Sequence, residues 1–157
     1  MCDDMTDFFG GNVIFSYTRA DAIRDGVLVD LSQGEMGKLC KQAGFKVPIA
    51  MTATAFGETI TAGAVLKPTG EFDMPEGQSV IGRLWDVLFL LRSAVGKALR
   101  KGEKTDRVYF TVAVDDGEVT GPDGRKVRRR RDVEMYCVLG PGDQGEPVMT
   151  AMLVGED

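Results

Sequence analysis

QSVIGRLWDVLFLLRSAVGKALRKGEKTDRVYFTVAV, residues 78–114, contains the change of period that decides the fold. From Gln78 to about Arg100 the apolar residues Ile81, Leu84, Trp85, Leu88, Leu91, Val95 and Ala98 recur three and four apart, one face of a long helix. Val80, Val87 and Leu90 widen that face. Lys97, Arg100 and Lys101 gather at its end, where the helix dipole favours cations. Beyond Gly102 the period falls to two, with Val108, Phe110, Val112 and Val114 on one side. The alternation returns in Val133, Met135, Cys137 and Leu139, and again in Val148, Thr150, Met152 and Val154. Successive segments of this kind read as antiparallel strands. Gly121-Pro122-Asp123-Gly124 and Pro141 to Pro147 supply the turns between them. The predicted class is α+β: a single domain, residues 1–157, with an antiparallel sheet packed against one long central helix plus short helices.

Upstream, Lys67 to Gly77 carries Pro68, Gly70, Pro75 and Gly77 and reads as a loop. Thr52 to Thr61 reads as a short helix, while Phe45 to Met51 is ambiguous between helix and strand. In YTRADAIRDGVLVDL, Tyr17 to Leu31, Thr18 and Asp21 form a capping box and Gly26 is a natural helix stop. Val27 to Leu31 then alternates as a strand. Ser32 and Glu35 suggest a second capping box opening a helix to about Gly44. Val13 to Tyr17 reads as a short strand, preceded by a loosely held acidic tail at residues 1–11.

A chain of 157 residues can bury a core without metal or disulfide staples, and 43% hydrophobic with 27% charged residues is ordinary for a globular domain. The longest apolar run, Val87 to Leu91, stops at Arg92, far short of the roughly 18 residues of a membrane span. The acidic start MCDDMTDFFGG is unlike a signal peptide. Cys2, Cys40 and Cys137 have no metal-ligand or disulfide spacing, so a reducing cytoplasm is expected. Histidine is absent, which excludes Ser–His and Cys–His pairs and imidazole metal ligands. No glycine-rich phosphate loop, calcium loop or nucleophile elbow is present, so neither cofactor nor metal is expected.

Charge clusters are the remaining signals. Arg125, Lys126, Arg128, Arg129, Arg130 and Arg131 form a basic run that could lie along nucleic-acid phosphates. Residues 115–134 hold six acidic side chains as well, so a hairpin with a self-paired acidic and basic arm is the plainer reading of the protruding 115–131 ribbon. Over 97–134 the net charge is +3, against −4 for residues 1–96 and −4 for 135–157. Arg83 and Asp86 are spaced to pair on the long helix, either flanking a core Trp85 or sharing an exposed binding surface with it. Tyr17, Arg19, Asp21, Arg24 and Asp25 crowd one short helix, as a solvent-facing turn, a docking surface or paired carboxylates. The Gly140–Pro147 loop has too few carboxylates for calcium and reads as a hairpin connection, and Gly155-Glu156-Asp157 as solvated charge.

The blocks YTRADAIRDGVLVDL, QAGFKVPIAMT, GRLWDVLFLLRSA and VLGPGDQGEPVMTAML, with the final GED, resemble an uncharacterised domain-of-unknown-function family found in bacteria, plasmids and phages. The resemblance spans nearly the whole chain and implies a small cytoplasmic protein carried on mobile elements, with no catalytic residues to carry over. Members often have tryptophan where this chain has Phe56, and the Val119 to Arg131 ribbon is longer and more basic than usual.

The function most compatible with these features is a non-enzymatic interaction protein, a mobile-element accessory factor docking on a host protein through Tyr17, Arg19, Asp21, Asp25, Arg83, Trp85 and Asp86. A nucleic-acid-binding module using the Arg125–Arg131 ribbon, and a histidine-free enzyme using Asp21, Asp25 or Asp86, are the alternatives. No membrane partner is expected.

Overall fold

The computed structural model describes residues 17–156, and the expected acidic tail, Cys2 and all but the last residue of the Val13–Tyr17 strand lie outside them. In chain order the elements are α1 (Arg19–Arg24), β1 (Leu28–Asp30), α2 (Gly34–Gln42), β2 (Ile49–Thr52), α3 (Ala53–Thr59), β3 (Val65–Leu66), β4 (Phe72–Asp73), α4 (Val80–Arg100), β5 (Arg107–Thr120), β6 (Lys126–Pro141) and β7 (Pro147–Leu153). The architecture is a single α+β domain. The sheet runs β1-β2-β7-β6-β5, and β3 and β4 form a separate small hairpin. All neighbours are antiparallel except β2 and β7, which are parallel and make the sheet mixed. A parallel pair needs a long crossover, and everything from α3 to β6 lies between these two strands.

Inward residues of β5, β6 and β7 follow the period-two pattern: Phe110, Val112, Val114, Val133, Met135, Cys137 and Ala151 are buried in one core with α4. That helix contributes Leu84, Val87, Leu88 and Leu91, with its start capped by the Ser79 hydroxyl accepting from the Gly82 amide at 2.9 Å. The face is therefore centred on residues 84, 87, 88 and 91. Trp85 lies about 100° round the helix from that centre, because each residue advances about 100°. It is 39% exposed rather than a core tryptophan. Helices α2 and α3 contribute Cys40 and Ala55, among others, to the same core.

Several local expectations change. Thr18 and Asp21 form the capping box as read. Ser32 and Glu35 do not: α2 begins at Gly34 with Gln33 at the cap and no side-chain bond. The Ser32 hydroxyl donates instead to Asp30, in a local turn that competes with capping. The Lys67–Gly77 loop carries β4, which pairs Val65 with Asp73 and Leu66 with Phe72. Glu156 is engaged rather than solvated: its carboxylate accepts from the Thr52 hydroxyl and the Leu153 amide, both at 2.8 Å.

Candidate functional site

The Tyr17–Asp25 cluster is largely absorbed by the fold. α1 packs on the sheet face opposite α4, where Arg19 donates to the Thr150 hydroxyl at 2.8 Å and the Met149 carbonyl at 3.0 Å. Asp143, from the β6–β7 loop, accepts from the Arg19 and Ala20 amides at 2.7 and 3.0 Å. Thr18 accepts from the Asp21 amide. The first amides of α1, which have no partner within the helix, are thus satisfied by a loop more than a hundred residues away in sequence. Arg24 pairs with Asp21 at 2.9 Å, and the Tyr17 hydroxyl donates to Asp25 at 2.9 Å. The Thr18 bonds hold Asp21 below its ordinary carboxylate range.

Arg83 and Asp86 do not pair. Arg83 is 8% exposed and turned inward. Its guanidinium donates to the carbonyls of Thr59, Ile60, Ala62 and Asp115 and to the Gln78 side chain. Thr59 and Ile60 end α3, so a cation here satisfies unbonded carbonyls at the negative end of the helix dipole. Burial lowers the guanidinium pKa, opposed by Asp116 and Asp115. Asp86 stays exposed on α4, separated by the sheet from Tyr17, Arg19, Asp21 and Asp25. The two clusters therefore do not converge, and the three candidate carboxylates share no cleft.

The ribbon is extensively self-paired. Arg128 and Arg130 approach Asp115 at 2.6 and 3.5 Å, and Arg129 and Arg131 approach Asp116 at 3.4 and 2.9 Å. Arg131 also reaches Glu58 at 2.9 Å, and Arg125 pairs with Asp123 across the turn. The Arg128 bond, with the Gly117 amide, holds Asp115 below its ordinary range. Lys126 lies exposed at the tip, opposite Thr120.

A different place offers open binding chemistry: the outer edge of β5. Leu139 donates its amide to the Asp106 carbonyl at 2.9 Å, so Asp106, Val108, Phe110 and Val112 are the residues bonded to β6. Arg107, Tyr109, Thr111 and Ala113 turn their amides and carbonyls outward. Thr105 caps Arg107 with one hydroxyl, accepting from its amide and donating to its carbonyl. At the far end, Arg83 and Gln78 cover the Asp115 carbonyl. Between these caps the backbone of Tyr109, Thr111 and Ala113 has no partner among the described residues. A groove of about 450 Å³ runs beside this edge, with α4 residues Leu90, Ser93, Ala94, Lys97, Ala98 and Lys101 as its other wall. A second, separate cavity of about 120 Å³ lies further along the same strand and helix, lined by Ala113, Asp86 and Asp115 among others. On the other face of this edge Tyr109 is 61% exposed, tilted against the Tyr136 ring at 5.5 Å, and Arg107 stands 5.1 Å over that ring.

Sequence reasoning missed this edge because strand order is not visible in a period-two pattern. The alternation Val108 to Val114 was legible; that this strand lies outermost was not. Residues 5–157 match the Family of unknown function (DUF6573). The chain belongs to that family. Comparison with curated proteins and with solved structures finds no match. Among its described residues this DUF6573 member has no helix long and apolar enough to cross a membrane, and no cluster of three acidic or cysteine side chains placed to hold a metal.

On the opposite flank of α4 lies an apolar cleft of about 390 Å³, lined by Phe45, Val47, Val95, Leu99, Leu139 and Met149 with Cys137 in its wall. Burial pushes the Cys137 thiol up to about 12 from an ordinary 9.0. The native thiol is expected to resist alkylation at pH 8, and to react only at the rate of global opening. Its raised value also stabilises the fold below pH 9.0, a contribution lost as pH rises toward 12. Mass spectrometry after a timed iodoacetamide pulse checks this: rapid native labelling of Cys137 contradicts the assignment.

Proposed function

We propose that the protein is a cytoplasmic, non-enzymatic interaction protein that takes up an extended segment of a protein partner along the outer edge of β5. The observation that carries this reading is the run of backbone groups at Tyr109, Thr111 and Ala113 with no partner among the described residues, beside an open groove. Sheet edges in this condition are either protected or used, since each outward amide and carbonyl can pair with an added strand. Here the caps at Arg107 and Asp115 mark off a window of five residues. The sequence-level expectation of a mobile-element accessory factor docking on a host protein fits this mode of binding. The Tyr17–Asp25 cluster does not extend the surface, because its groups are bonded within the fold and lie on the other side of the sheet.

Nucleic-acid binding by the ribbon has less support, since Arg128 to Arg131 already face Asp115, Asp116 and Glu58. Displaying random extended peptides and selecting on the full chain tests the docking reading. Selected peptides are expected to slow hydrogen exchange at the amides of Tyr109, Thr111 and Ala113. Thr111→Pro, which deletes an outward donor without touching the β6 ladder, is expected to weaken binding by about tenfold or more. Ala94→Tyr should fill the groove from the helix side with the same result. Protection at other amides, or binding indifferent to both substitutions, would overturn it.

A further inference from the structure

The groove has polarity. α4 and β5 run in opposite directions beside each other, since Arg83 meets Asp115 at one end and Lys101 faces Arg107 at the other. Lys97 and Lys101 supply the charge at the Arg107 end, with Glu103 the one acidic group in that wall, while the Arg107 guanidinium lies over Tyr136 on the other sheet face. Asp86 lines the other end, where the Asp115 carboxylate is already paired with Arg128 and the Arg83 guanidinium is committed to carbonyls. Lys97, Lys101, Arg107 and Asp86 have no ion-pair partner among the described residues. Between the charged ends the wall is small or apolar, with Leu90, Ala94, Ala98 and Phe110.

We infer that the occupant is an extended protein segment with an acidic carboxyl-terminal end, added antiparallel to β5 so that its acidic end lies beside Lys97 and Lys101. This inference rests on the docking reading above and adds direction and charge to it. An antiparallel strand on β5 runs from the Asp115 end toward the Arg107 end, so its carboxyl-terminal residues reach the basic wall. Its amino-terminal residues reach Asp86. Antiparallel pairing is also slightly the more stable of the two ladders. A parallel strand would reverse both matches, placing an acidic carboxyl end beside Asp86. The small side chains of Ser93, Ala94 and Ala98 leave room for every second residue of the segment to turn toward α4.

Fluorescence anisotropy on the full chain with labelled peptides tests this. One peptide has an alternating valine and threonine core with two lysines before it and two glutamates after it. A second exchanges the charged ends, and a third has serine in place of every charge. The first is expected to bind about tenfold tighter than the second, from several partly screened charge contacts. Lys97→Glu together with Lys101→Glu should reverse that order. Equal binding of all three peptides, each abolished by Thr111→Pro, would overturn the polarity while leaving edge docking intact. Binding of none, or binding insensitive to both Thr111→Pro and Ala94→Tyr, would overturn edge docking as well.

Discussion

Arg83→Ala is expected to destabilise the fold by about 2–4 kcal/mol, since several buried acceptors lose their donor at about 1–3 kcal/mol each with partial relaxation. The guanidinium gathers carbonyls from three separate segments: Thr59 and Ile60 at the end of α3, Ala62 in the following loop, and Asp115 on β5. Truncation leaves those acceptors buried without donors, and each costs desolvation that water cannot easily recover. Arg83→Lys should restore only part of the loss, because an ammonium cannot spread its donors over a planar fork. Urea unfolding of the wild type and both variants measures the differences. A loss below about 1 kcal/mol for Arg83→Ala would show that these bonds contribute little net stability. Because the Asp115 carbonyl also closes one end of the open edge, the same variant should speed exchange at amides near Asp115.

Gly63→Ala is expected to cost about 2–4 kcal/mol, through a left-handed backbone and a steric clash acting together. Gly63 has φ of +75°, and a Cβ built on it would stand 2.5 Å from the Asp116 carbonyl oxygen. That oxygen belongs to the backbone of β5 at its register shift between Asp115 and Gly117, so it cannot move without disturbing the bulge. The bulge in turn places Asp115 and Asp116 for the ribbon arginines. Gly70, with φ of +88° and open space around it, is the control, where alanine should cost only the backbone share. Equal losses at both positions would show that contact with Asp116 adds nothing. Arg83 and Gly63 serve one junction, so the double variant should lose less than the two single losses combined.

Charge spacing was the least reliable guide to sites. Arg83 and Asp86 are three apart on a helix, which suggests a surface pair, yet the arginine turns inward because α3 ends with unbonded carbonyls beneath it. Asp143 read as part of a plain hairpin loop and caps α1 from across the sheet. No local pattern announces either role, since both depend on which segments meet. The ribbon was more legible: the equal numbers of opposite charges over residues 115–134 pointed to a self-paired hairpin, and Asp115 and Asp116 face the arginines as expected.

By itself the sequence determined the α+β class, the long helix, the period-two strands, the α1 capping box and the absence of imidazole chemistry. Those are consequences of side-chain periodicity and composition, which act within a few residues of each position. Tertiary structure alone decided that β2 and β7 pair in parallel, that Arg83 is buried and Trp85 exposed, and that β5 is outermost. Strand order and helix rotation are fixed by burial of the whole core at once, and the outward-facing backbone of Tyr109, Thr111 and Ala113 follows from that packing.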